Sequence, residues 1–89
     1  MTEMKLKKEF IAHSGGGESL LVPVGGTEFV GIVRGNQTLG AILELLQAET
    51  DEASVVRAMC AKFNGDRDLI ARDVHRAIES LRGIGALDE

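Results

Sequence analysis

The sequence predicts an α+β domain, a small antiparallel sheet followed by a three-helix bundle. Three observations predict it. Up to about Gly35 the chain is rich in glycine and in alternating apolar and polar residues. From Asn36 on, apolar residues recur at helical spacing. At 89 residues and 44% hydrophobic content, the chain has material for one core and no second domain. A single domain over residues 1–89 is therefore expected, with strands within about 4–35 and helices within about 37–85.

The strands come first. Met4, Leu6 and Lys8 alternate with Lys5 and Lys7, and Phe10-Ile11-Ala12 follow, which reads as a strand with one buried face. Ser14-Gly15-Gly16-Gly17 supplies a turn, because glycine reaches positive φ at little cost. A second strand runs from Ser19 to Val24, with Pro23 at a strand end or edge because it lacks an amide donor. Gly25-Gly26 make the next turn. Phe29 to Arg34, rich in Val and Ile, forms the third strand and Gly35 closes it.

Three helices follow. Asn36 or Thr38 can cap the first. Its residues Leu39, Ile42, Leu43, Leu45 and Leu46 leave almost no polar face, so it is expected at the centre of the core. Thr50 is the expected cap of the second, with Asp51 and Glu52 favoured by the macrodipole in its first turn. Val55, Val56, Met59, Cys60 and Phe63 share a face, and Asn64-Gly65 offer a left-handed stop. Asp66 or Asp68 starts the third helix. Ile70, Val74, Ala77, Ile78 and Leu81 then form one stripe before Gly83 and Gly85, and Ala86-Leu87 are expected to tuck back on the core.

Composition excludes several functions. A net charge of −4 lacks the clustered basic footprint that phosphate backbones require, so nucleic acid is disfavoured as a partner. A lone cysteine, Cys60, rules out an intramolecular disulfide. No apolar run approaches the ~20 residues of a membrane span, and Met1 to Phe10 lack a signal-peptide core. A cytoplasmic chain without a membrane is expected.

No catalytic chemistry is legible. Gly15-Gly16-Gly17 is followed by Glu18-Ser19 and a strand, not by the Lys-Ser/Thr and helix of a phosphate loop. His13, His75 and Cys60 lack the local pairing of metal ligands. Asp51-Glu52 and Asp66/Asp68 sit at helix starts, and Asp88-Glu89 form a tail. A binding protein with no metal or cofactor is expected, not an enzyme.

Two features point to binding. Phe29 to Arg34 is strongly β-prone and free of proline. At a sheet edge, its unpaired amides and carbonyls would template an extended peptide. Arg67, Arg72 and Arg76 ride the third helix, and Arg34 ends the third strand. With Asp68, Asp73 and Glu79 interleaved they read either as a solvated face or as a rim that grips an acidic peptide.

The order of these segments resembles the PqqD family over nearly the whole chain. The resemblance lies in Leu21, Val22 and Val24 around Pro23 and Gly25, then Phe29-x-Gly31-x-Val33-x-Gly35-Asn36-x-Thr38. It continues through Ala41-Ile42-Leu43-Glu44-Leu45-Leu46, Thr50, Phe63 at a usual Tyr position, Asp73-Val74, Leu81 and Gly85-Ala86-Leu87. The chain departs from the family where Leu39 takes the Gly of Asn-x-Thr-Gly and Gly40 comes one later. It departs again at Leu43, where an aromatic is usual. Both changes bear on packing where the sheet meets the first helix.

The resemblance implies a winged-helix-like fold and a domain that binds the leader segment of a ribosomally synthesised precursor peptide. The leader adds as a fourth strand and is presented to a modifying enzyme, often a radical SAM protein. Carried onto this chain, the peptide would meet Phe29, Val30, Gly31, Ile32, Val33 and Arg34. Across from them, on the last helix, stand Arg67, Ile70, Arg72, Val74, His75, Arg76 and Glu79. Arg34, Arg72 and Arg76 would attract acidic leader residues. Two other functions suit the same fold: a winged-helix DNA-binding protein and a structural dimerisation subunit. Against DNA, acids outnumber arginines from Asp66 to Glu89. A homodimer is compatible with peptide binding.

Overall fold

The structure is a computed structural model and describes residues 3–15, 17–24 and 33–89. Its elements run β1 (Lys5–Leu6), β2 (Phe10–Gly15), β3 (Glu18–Pro23), β4 (Val33–Gly35), α1 (Gln37–Leu45), α2 (Glu52–Lys62), α3 (Arg67–Gly83) and β5 (Leu87–Asp88). The main sheet has the antiparallel order β2-β3-β4, and three helices follow it, as the sequence predicts. The Gly25-Gly26 turn and Phe29, Val30, Gly31 and Ile32 of the expected third strand lie outside the described residues.

The expected first strand is in fact two. The chain turns at Lys7–Glu9, where the Phe10 amide donates to the Lys7 carbonyl at 3.1 Å. This frees β1 for a separate two-stranded sheet with β5, Lys5 opposite Asp88 and Leu6 opposite Leu87. On its other side, Met4 exchanges backbone bonds with Thr50 at 2.7 and 2.9 Å, and the Leu6 amide donates to Leu46. The chain's beginning thus ties its end to the α1–α2 connection. Alternation was visible in the sequence, but these partners are distant along it.

The β2–β3 hairpin turns through Gly17 at φ +82°. Leu21 and Ser19 of β3 point into the core, and the Ser19 hydroxyl donates to the Asn36 carbonyl at 2.9 Å. That bond satisfies a buried polar group at the step from β4 into α1. Asn36 caps α1 by accepting from the Leu39 amide at 3.1 Å. α1 packs against all three strands of the main sheet and both other helices, with Ala41, Ile42, Leu43 and Leu46 buried.

Asp51, not Thr50, caps α2, accepting from the Ser54 amide at 2.8 Å. Thr50 is committed to its bridge with Met4. The Ser54 amide and hydroxyl hold the Asp51 carboxyl below the usual carboxylate range. The expected left-handed stop at Asn64-Gly65 is absent: α2 ends on an extended Phe63, and among the described residues only Gly17 and Gly85 have positive φ. Asp66 caps α3. At its far end the Ala86 amide reaches Leu81 (2.9 Å) and the Gly85 amide reaches Arg82 (3.1 Å). This is a Schellman closure with Gly85 in the left-handed position at φ +74°. It turns Ala86 and Leu87 into the core, as the sequence predicts.

Gly35 has a packing role. A Cβ there would collide with Leu39, lying 2.8 Å from its Cβ, an atom a rotamer change cannot move. Gly35→Ala should cost about 1–3 kcal/mol by overpacking. A urea titration showing no loss of stability would refute this role.

Candidate peptide-binding cleft

β4 is an edge of the main sheet: it pairs with β3 through Ser19–Gly35, Leu20–Arg34 and Leu21–Val33, and no described strand flanks its other side. A cleft of about 490 Å³ opens between β4 and α3. Arg34 borders it on the strand side, and Asn36, Thr38 and Leu39 border it where α1 begins. Ile42 and Leu81, both buried, form its floor. α3 contributes Asp73, Arg76, Ala77 and Ser80, with Ile84 just past its last turn. These α3 positions recur three and four apart, a band beside the core stripe of Val74, Ile78 and Leu81.

The structure divides the residues singled out from sequence. Arg34 and Arg76 meet at this cleft, both exposed. Val33 sits in β4 opposite Leu21. Arg67 and Arg72 are exposed outside the lining, and Ile70 is half-buried against the core. Val74 is fully buried at 0% exposure and presents nothing to a ligand. His75 and Glu79 face elsewhere: His75 Nδ1 lies 3.2 Å from both carboxylate oxygens of Glu52 on α2, and Glu79 accepts from Arg82 at 2.6 Å.

Sequence reading missed Asp73, Ala77, Ser80, Ile84 and the α1 residues Leu39 and Ile42 as lining. The band at positions 73, 76, 77 and 80 was legible as a helical series flanking the core stripe. The α1 contribution was not, since those residues read only as core. Leu39, standing where the family pattern has Gly, fills the space beside Gly35 and borders the cleft.

The cleft's charges are unspent. The side chains of Arg34, Asp73 and Arg76 have no hydrogen bond or ion pair among the described residues, whereas neighbouring Arg82 is engaged by both Glu79 and Glu89. The Arg82 guanidinium holds the Glu89 carboxyl below its ordinary range. The opposite sheet edge, β2, borders a broader concavity of about 1340 Å³. On its rim Arg82 is paired with Glu89, while the side chains of Lys5, Lys7, Lys8, Glu9 and Asp88 form no ion pair among the described residues. No group of three or more potential metal ligands occurs among the described residues, and none of the described helices is long and apolar enough to cross a membrane.

A three-stranded antiparallel sheet followed by three helices, with an edge strand facing the last helix across a partly apolar cleft, defines a small α+β domain built around an exposed strand. The family comparison names its kind: residues 19–87 match PqqD, coenzyme PQQ synthesis protein D, and the chain belongs to that family. Proteins of this family are generally non-catalytic. The solved structure of TbiB1 in complex with the TbiA(beta) leader peptide is similar in fold, with a TM-score of 0.76 at 19% identity over 94% of each chain. No curated protein matches the chain significantly.

Proposed function

We propose that this chain is an adaptor that binds the leader segment of a ribosomally synthesised precursor peptide and presents it to a modifying enzyme, the leader adding as a strand along β4. The observation that carries this reading is the β4 edge, flanked by no other described strand, beside a cleft whose floor is apolar and whose charged side chains have no partner among the described residues. Added strands gain affinity from backbone bonds and specificity from side-chain pockets, and this cleft offers both. Family membership and a fold neighbour that carries a leader peptide support the same reading. A radical SAM partner and a cytoplasmic location complete the proposal.

A backbone-amide NMR titration with the leader of a precursor peptide encoded beside this chain tests it. Shifts are expected at Val33–Gly35 and along α3 from Asp73 to Ile84. Shifts confined to β2 would move the site to the other edge, and unmoved amides throughout would remove the adaptor reading.

The arginines can be separated by the same titration. Arg76 borders the cleft and Arg72 does not, so Arg76→Glu should weaken binding about tenfold at low salt and Arg72→Glu less than about threefold. Equal losses would mean that the helix attracts peptide only through its general charge.

A further inference from the structure

The proposed cleft has an order of chemistries along α3 that specifies what it reads. Along α3 the lining begins with the apolar pair Ile84 and Leu81, and Leu39 and Ile42 of α1 add apolar surface to the same cleft. Toward the helix N-terminus come neutral Ser80 and Ala77, then Arg76 and finally Asp73, and Arg34 borders the cleft from the strand. Asp73 and Arg76 lie one turn apart yet form no ion pair with each other, so each is open to a partner's charge. At 1.5 Å per residue, the interval from Asp73 to Ile84 spans about 16 Å. An added strand rises about 3.3 Å per residue and turns every second side chain to the same face, so its inward residues recur about every 6.6 Å. Three inward residues, spanning about 13 Å, fit this length of helix.

We infer that the leader segment captured here alternates apolar–x–acidic–x–basic in the direction from Ile84 to Asp73. The x residues face away from the helix. The apolar side chain, aliphatic or aromatic, rests on Leu81 and Ile84. The acidic one meets Arg76, and the basic one meets Asp73. Whether the peptide runs parallel or antiparallel to β4 reverses how the pattern is written in sequence, not which residue meets which. The inference rests on the strand-addition reading of the cleft and adds its specificity. It also accounts for a mixed-charge rim, which a purely acidic leader would not need.

The test uses a phage-displayed library of random twelve-residue peptides, selected on the whole chain and in parallel on an Asp73→Arg, Arg76→Asp double variant. Both substituted residues are exposed on a helix, and thermal melting of the double variant checks that it folds. Selected peptides are located by amide NMR. Expected are peptides that shift β4 and α3 and carry the pattern, with the two charges exchanged in the peptides selected on the double variant. Each peptide should bind its own protein about tenfold more tightly than the other. Peptides that bind at β4 without the pattern, or that are indifferent to the charge exchange, would overturn the inference and leave strand addition standing. If no selected peptide touches β4 or α3, the cleft reading falls and this inference with it.

Discussion

Ile78→Ala is expected to cost about 2–5 kcal/mol, the range for emptying a buried aliphatic position. Ile78 is fully buried on α3, in the stripe that joins this helix to the rest of the core. The core has few bulky groups to collapse into the hole: it is almost wholly aliphatic, with Phe10 the buried aromatic among the described residues. A domain of this length has a total stability of roughly 5–13 kcal/mol, so the loss is a large share of it. At several degrees per kcal/mol for a chain of this size, the melting temperature should fall by on the order of 10 °C or more. Urea titration is the decisive measurement, with the midpoint lowered and the slope unchanged. A loss below about 1 kcal/mol would mean that α3 is held chiefly by its caps and the β1–β5 tie.

Ser80→Trp should do the opposite, abolishing peptide capture without unfolding the protein. Ser80 is exposed on α3 and borders the cleft between Arg76 and the apolar pair Leu81 and Ile84. An exposed helical position accepts a large side chain at little cost, within about 0.5 kcal/mol. An indole lying over the cleft would occupy the space an added strand needs. Binding of the leader, measured by calorimetry or fluorescence anisotropy, should weaken at least about tenfold, equivalent to about 1.4 kcal/mol. The melting temperature should stay within a few degrees of the parent. If the variant binds as the parent does, the peptide does not pass over this part of α3. If instead it melts early, Ser80→Arg supplies the same obstruction with a side chain that can reach solvent, and retained binding there would count equally against the cleft.

Much of the fold was legible along the chain because it depends on neighbours a few residues apart. The side chains of Asn36 and Asp66 reach amides of their own first turns, so both caps are local facts. The α3 stripe from Ile70 to Leu81 follows from helical geometry, and the turn at Gly17 and the closure at Gly85 from glycine's access to positive φ. The described end of the expected third strand, Val33 and Arg34, and the arginines on α3 were visible for the same reason.

The misjudged places are those governed by partners distant in sequence. Lys5 and Lys7 alternate with Met4 and Leu6 as a longer strand would, yet β1 ends at Leu6 because its partners are β5 at the far end of the chain and the backbone around Thr50. That same bridge takes Thr50 and leaves Asp51 to cap α2. In the candidate site, Arg34 and Arg76 could be named from their charge, but Leu39 and Ile42 read as core. Periodicity tells which side of a helix is apolar, not whether its border meets another wall or open space. Here α1 packs on the sheet, and its residues share a cleft with Arg34 of β4 and with α3, so part of an ordinary apolar face becomes the floor of that cleft. Residue pattern thus established the order of sheet and helices and the caps of α1 and α3. The docking of those elements established which strand edge no other described strand flanks and which charges lack a partner among the described residues, because those depend on distances between segments that no local pattern encodes.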